Sequence, residues 1–430
     1  MGSDFSPVKI LVYFYHFNKT EFLTDYKNIK IGDFSYHLPE ERIARYPLAE
    51  RDSSALLVWQ NGRINKDKFK NITDYLPTDS MLVFNNTRVI HARLFFKKET
   101  GAKIEIFCLE PVEPADYQLV FQQTEKVVWK CMVGNVKKWK DGTLKKTFEL
   151  NGNAIVLQAK KTKHEGETFL LEFSWNSPVT FAEIIEASGV LPIPPYLNRE
   201  TEPDDELTYQ TIYAKLDGSV ASPTAGLHFT ENVIKQLADK NITLHEITLH
   251  VGAGTFKPVK SETIGKHEMH REQVIVSRKL IEELLQNCQS LIAVGTTSVR
   301  TLESLYWLGV RLENRTLSAG KITIDQWEPY NSDALVSVNQ ALKNILGWLE
   351  KNRLESLCFA TEIIIVPGYE FKLVKGMITN FHQPQSTLLL LIAAFLGENW
   401  KEVYNFALKN GFRFLSYGDS NLYLKTEYNE

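Results

Sequence analysis

The chain of 430 residues is 43% hydrophobic and 23% charged, an ordinary globular composition with length for two or three domains and an ample core. Its formal net charge is −3, so nothing in the overall balance demands nucleic acid. The cysteines Cys108, Cys131, Cys288 and Cys358 stand far apart with no CxxC, which excludes a local zinc knuckle or redox pair and fits a reduced, cytoplasmic protein.

Residues 1–30 lack a signal-peptide cleavage pattern and read as an N-terminal extension. Their opening, MGSDFS, matches a loose myristoylation pattern that chance also supplies often. The longest apolar runs, LVYFYHF near residue 11 and LLLLIAAFL at 388–396, are too short to span a bilayer, so no membrane partner is expected. From Ile31 a larger α/β domain begins, covering 31–95 and 177–430, a mixed α+β architecture interrupted at 96–176.

The interruption has its own texture. KIEIFCL, YQLVFQ, VVWKCMV, LKKTFEL, AIVLQAK and TFLLEFSW are short, β-branched and aromatic, with Gly, Asn, Asp or Pro between them. They predict six strands of a small inserted antiparallel β-barrel. Asp141–Gly142 is a hairpin-turn signal, flanked by Lys137, Lys138 and Lys140 before it and Lys145 and Lys146 after it. Residues 126–163 hold ten lysines against Asp141 and Glu149, a local charge of +8 that leaves −11 for the rest. The lysine hairpin, with Trp139 in it, is either a nucleic-acid backbone contact or a sheet edge kept soluble by lysine.

Beyond 177 the period changes. FAEIIEASG reads as a helix stopped at Gly189, and LPIPPYLNRE as a proline-stiffened connection. From Thr243, ITLHEITLHV, SLIAVGT, EIIIVP and KGMITNF are predicted strands. SRKLIEELLQN, SVRTLESLYWLG, ALVSVNQALKNILGWLEK and STLLLLIAAFL are predicted helices. No internal repeat or low-complexity segment is present.

Several loops carry groups suited to chemistry. In VASPTAGLHFTE, Thr224, Gly226 and His228 precede the helix ENVIKQLADK. The loop reads either as a substrate-site wall or as a turn capped by Thr230. LHVGAGTFKPV offers Gly252, Gly254 and Thr255 after His250, but lacks the third glycine and following helix of a dinucleotide fingerprint. AVGTTSVRTLES places Thr296 and Thr297 at a helix N-terminus that favours anions. Arg300 and Glu303 then share a face, as a surface ion pair in the plainer reading, and no Walker lysine is present. HEMHRE brings His267, His270 and Glu272 together; a metal site, base and hydrogen-bond roles, and plain packing all remain open. TNFHQPQSTL sets Asn380 and His382 before a helix capped by Ser386 or Thr387.

FNNTRVIHARL, LPIPPYLNR, YQTIYAK, ASPTAGLHFT, TLHVGAGTFKPV, HEMHRE, AVGTTSVRTLES, PGYEF, TNFHQPQSTL and RFLSYGDSNL occur in one order. Together they resemble the S-adenosylmethionine:tRNA ribosyltransferase-isomerase family of queuosine biosynthesis, over about residues 31–424. The resemblance implies that S-adenosylmethionine gives its ribosyl part to the amine of 7-aminomethyl-7-deazaguanine at a tRNA wobble position. The ribose becomes an epoxycyclopentane, and adenine and methionine leave. S-adenosylmethionine is then substrate, with no metal or other cofactor expected. The partner is a tRNA anticodon loop, and the protein a monomer or weak homo-oligomer.

Under that resemblance, His228, His250, His270 and His382 are the candidates for proton transfer. Arg88, Arg93 and Arg300 are candidates for phosphate or carboxylate. Tyr417 and Asp419 are candidates for ribose hydroxyls or the methionine amine, and backbone N–H groups at 224–227 and 295–297 for the nucleoside. Thr224, Gly226, Gly252, Gly254, Thr255, Glu272, Thr296, Thr297 and Asn380 complete the substrate-binding set, and Lys137, Lys138, Lys140, Lys145 and Lys146 the tRNA-binding set. Asn86, His91, Lys375, Gln383 and Gln385 depart from the family's usual residues, and the segment 311–360 is long. A divergent, non-catalytic tRNA-binding paralogue and a metal-dependent hydrolase using His267, His270 and Glu272 are the competing readings.

Overall fold

The structure is a computed structural model that describes residues 26–252, 259, 261–314, 322–331 and 336–425. Its centre is a ten-stranded mixed sheet. Four neighbouring strands run parallel in the order Thr243–His250, Met81–Asn85, Leu291–Val294 and Gly376–Asn380. Met81–Asn85 and Leu291–Val294 are buried at every residue, as expected for parallel strands covered on both faces. Ser420–Leu424, Ala55–Gln60 and Arg63–Lys68 extend one side. Glu272–Ser277, Ser356–Thr361 and the short Thr323–Ile324 extend the other.

Helix Thr296–Glu313 follows directly from the strand Leu291–Val294, through Gly295 at φ 91°. It is buried on nearly every face because helix Val338–Asn352 covers it from outside. Gly309 allows that approach: a Cβ there would lie 2.4 Å from the Ala341 carbonyl oxygen. Arg300 and Glu303 are both buried and do not form the surface pair of the plainer reading. Glu303 instead accepts from the Tyr369 hydroxyl and from the backbone N–H of Lys372, Leu373 and Val374.

A second sheet has seven antiparallel strands in the order Gly189–Val190, Arg93–Lys97, Lys103–Glu113, Lys126–Gly134, Thr168–Ser174, Asn153–Glu165, Leu144–Leu150. It curls around a separate core that includes Trp129, Phe173 and Phe181. It is an open half-barrel with two unpaired edges, not a closed barrel. Five of the six predicted strands are present; YQLVFQ is instead the helix Tyr117–Phe121, its N-terminus capped by the Asp116 carboxylate on Leu119 N–H.

The lysine hairpin is also absent. Lys126–Gly134 and Leu144–Leu150 do not pair, and 135–143 crosses between them. Trp139 is buried in that crossing, its indole N–H donating to the Gly142 carbonyl at 3.1 Å. The predicted strand EIIIVP lies one segment late: the strand is Ser356–Thr361, and 362–366 runs on without a ladder. No helix of the described residues is long and apolar enough to cross a membrane.

Candidate active site

A cavity of about 1180 Å³ lies between the two sheets, walled by Glu110, Lys130 and Met132 on one side and by the ends of the parallel strands on the other. His250 ends one of those strands and Asn380 another; Thr296, Thr297 and Arg300 open the helix that follows a third. This is the carboxyl-end crevice where open α/β sheets take their ligands, because every strand delivers a loop there. Thr224, His250, Gly252, His270, Thr296, Thr297, Arg300, Asn380 and His382 all line it.

The cavity's charge is organised around Glu272, buried in the strand wall. Its Oε2 accepts from Arg300 Nη1 at 2.6 Å and its Oε1 meets His270 Nε2 at 3.1 Å. Burial alone would raise this carboxyl, but the positive partners, Arg300 first, outweigh it and hold it below its usual range. Arg300 Nε donates to the Ile363 carbonyl, and Nη2 has no partner among the described residues. Since His270 Nε2 is spent on the carboxylate, Nδ1 is the ring's remaining nitrogen. With both Glu272 oxygens engaged, His267, His270 and Glu272 do not gather round a point. Among the described residues no group of three or more His, Cys, Asp or Glu is placed to hold a metal ion.

His250 stacks on Tyr117, with ring centroids 3.7 Å apart and planes 7° from parallel. Its Nδ1 lies against Gly218, where φ is 141° and a Cβ would sit 2.4 Å away. Burial pushes the imidazole down to about 4, so it is neutral at pH 7. His382 meets Thr379 Oγ1 through Nε2 at 3.0 Å and is also lowered by desolvation.

Other candidates stand elsewhere. His228 is 4% exposed behind the wall, hydrogen-bonded to Ser54 and Asn380, and burial pushes it down to about 3. Gly226 packs under Tyr213, leaving no room for a side chain. Arg88 is exposed, in register with Asp217. Arg93 pairs across the small sheet with Glu105 at 2.7 Å. Tyr417 donates to Asp205, itself clamped by Arg199. Asp419 is consumed by Arg413 and by the Ala55 and Arg413 N–H groups. None of these six lines the cavity: His228, Arg93, Tyr417 and Asp419 are held by partners of their own, and Arg88 is exposed away from it. Gly254 and Thr255 lie outside the described residues.

Lys137, Lys138, Lys140 and Lys145 are exposed. Lys146 is not free: its ammonium donates to the Ser188 carbonyl at 2.5 Å. Of the departures, Gln383 lines the cavity, whereas Gln385 is exposed outside it. Sequence reasoning missed Tyr117, whose segment reads as a strand, and the Lys130–Glu110 pair at 2.8 Å. Alternation along Lys126–Gly134 marks Lys130 as facing one side of a sheet, but not which side meets the larger body.

The family model described as queuosine biosynthesis protein matches residues 31–423. The chain is 36% identical over 396 residues to the S-adenosylmethionine:tRNA ribosyltransferase-isomerase of Pelobacter propionicus, spanning 91% of this chain and 98% of that protein. A crystal structure of S-adenosylmethionine tRNA ribosyltransferase from Thermotoga maritima is 28% identical, with a TM-score of 0.43, over 91% of this chain and all of the other. The order of the ten sequence segments, the family model and the Pelobacter relative agree: the chain belongs to the S-adenosylmethionine:tRNA ribosyltransferase-isomerase family of queuosine biosynthesis.

Proposed function

We propose that this protein transfers and isomerises the ribosyl part of S-adenosylmethionine onto 7-aminomethyl-7-deazaguanine at a tRNA wobble position, releasing adenine and methionine. The observation that carries it, beside family membership, is the cavity wall. Ser222 Oγ, Arg300 Nη2 and Asn380 Oδ1 are buried on lining residues with no partner among the described residues. Polar atoms in that condition mark where a ligand's own groups complete the bonding.

The chemistry then divides among the residues present. The sulfonium acidifies the adjacent C5′–H, and His270 is the base that takes the proton. Glu272 orients its ring, as a carboxylate orients imidazole in catalytic triads, and stabilises the imidazolium that forms. Neutral His250 and His382 act as hydrogen-bonding walls. Arg300 Nη2, beside the N–H groups of Thr296 and Thr297, takes an anionic or carbonyl group of the substrate. The tRNA base is turned out of its loop into the cavity. Lys137, Lys138, Lys140 and Lys145 meet its backbone. We take 96–176 as an inserted unit on a body formed by 31–95 and 177–430; the separate core of the small sheet supports an inserted unit, and through Ile90, Ala92, Leu94, Phe181 and Ile185 it also takes in residues on both sides of those bounds.

The test is incubation with S-adenosylmethionine and tRNA carrying 7-aminomethyl-7-deazaguanine, scoring adenine and the modified nucleoside's mass. Adenine with an epoxyqueuosine mass is the expected result. A folded protein that releases none, beside an active relative, overturns it.

A further inference from the structure

Three side chains, running from the cavity wall into the core behind it, form one hydrogen-bonded row. Ser54 Oγ lies 2.9 Å from His228 Nδ1, and Asn380 Nδ2 lies 3.1 Å from His228 Nε2. Asn380 Nδ2 also donates to the Leu415 carbonyl at 3.3 Å. These partners fix the amide's orientation. Both hydrogens of the NH2 group are taken, one by an imidazole nitrogen and one by a carbonyl. Turned over, the amide would set its oxygen against the Leu415 oxygen, with no proton between two acceptors. Because Nε2 accepts, Nδ1 carries the ring proton and donates to Ser54.

His228 is outside the cavity wall and packs 5.1 Å from the Phe69 ring. Asn380 does line the cavity, at 2% exposure. Its Oδ1 is therefore an acceptor of fixed direction, without a donor among the described residues. Leaving such a group unpaired is costly, and a ligand donor recovers that cost.

We propose that Asn380 Oδ1 is a recognition point for a hydrogen-bond donor of the substrate, and that His228 is the positioning residue that aims it rather than a proton-transfer group. This rests on the function proposed above. The donor belongs to one of two sources: S-adenosylmethionine, through its amines or ribose hydroxyls, or the aminomethyl group of the tRNA base.

The experiment compares wild type with Asn380→Ala, His228→Leu and His228→Gln. Calorimetry with S-adenosylhomocysteine is read beside steady-state adenine release with varied tRNA. Asn380→Ala and His228→Leu are expected to lose about tenfold on the same quantity, the worth of one hydrogen bond. His228→Gln, whose amide oxygen replaces Nε2 as acceptor, is expected to stay within about threefold of wild type, since the bond is kept. Loss of S-adenosylhomocysteine affinity places the donor on S-adenosylmethionine; intact affinity with a raised KM for tRNA places it on the base. If Asn380→Ala and His228→Leu change neither, or His228→Leu lowers kcat alone and removes a limb of the pH profile, the proposal fails. If wild type neither binds S-adenosylhomocysteine nor releases adenine, the function reading has failed by itself. The row is then judged by 15N-histidine NMR: an Nδ1–H tautomer for His228 from pH 5 to 8 upholds the aim of Asn380, and an Nε2–H tautomer overturns it.

Discussion

At the scale of single residues, the histidines separate by what surrounds them. His228 and His250 are buried and neutral, held down to about 3 and about 4 chiefly by burial. The free imidazole value is about 6.5, so the unfolded chain takes up these protons first as pH falls. The stability they contribute is full above about pH 6.5 and drains as pH drops toward the folded values. Each contributes a slope of about 1.4 kcal/mol per pH unit in that window. Urea unfolding at pH 7 and pH 5 reads it directly, and His228→Gln should remove about one histidine's share. An unchanged slope would mean that His228 is solvated or charged in the folded protein. Glu272 carries a different prediction. Glu272→Gln leaves Arg300 buried without its counter-charge and His270 without its orienting acceptor. Removing one member of a buried ion pair costs about 3–5 kcal/mol. Turnover is expected to fall with stability, whereas His270→Gln should lower kcat with little change in melting.

At the scale of elements, the legible parts were those whose signal is local. The cap of Thr230 on helix Glu231–Asp239 and of Ser386 on helix Thr387–Leu396 are written in the sequence as side chain, then apolar run. What was not legible depended on distant partners. YQLVFQ is too short for its period to separate helix from strand, and only the Asp116 cap and the stack on His250 decide it. The apolar run at 363–366 needs no ladder because side chains and the Gln326 carbonyl satisfy much of its backbone. Arg300 binds the Ile363 carbonyl, and the Tyr330 hydroxyl binds both the Ile364 carbonyl and Val366 N–H. The site shows the same split. The loops at strand ends were legible as a group; that His228 faces the core, and Tyr417 and Asp419 their own partners, follows only from tertiary neighbours. Gly309 gives this scale its test. A methyl there meets the backbone of Ala341, which cannot yield as a side chain can. Gly309→Ala must part helices Thr296–Glu313 and Val338–Asn352, and overpacking of this kind costs about 1–3 kcal/mol. Because Thr296, Thr297 and Arg300 sit on the first turns of the displaced helix, a raised KM for S-adenosylmethionine is expected with it.

At the scale of the molecule, positive charge is concentrated in one stretch of the small sheet. The lysine-rich stretch at 126–163 carries +8 while the rest carries −11. One strand ties it to the cavity. Lys130 and Met132 of Lys126–Gly134 line the wall, and the chain then runs straight into Val136–Lys138. Six residues from Met132 to Lys138 reach at most about 20 Å, which keeps Lys137 and Lys138 within that distance of the cavity wall. Part of the lysine content is spent on the fold. Lys98 donates to the Lys138 carbonyl, Lys161 to those of Trp139 and Lys140, and Lys146 to Ser188. That leaves Lys137, Lys138 and Lys140 exposed on a loop whose backbone is held by other lysines, and Lys145 exposed on the strand that follows. Each one that meets a phosphate adds about 0.7–0.9 to the slope of log K against log salt. Replacing the four with glutamine should make that slope shallower by about 3, with S-adenosylhomocysteine affinity unchanged. The alternative has its own structural ground. Leu144–Leu150 is the outer strand of the sheet, and exposed lysine is a common guard against edge-to-edge pairing. In that case the quadruple variant keeps its salt slope and gains a tendency to aggregate, which light scattering on the same samples would register.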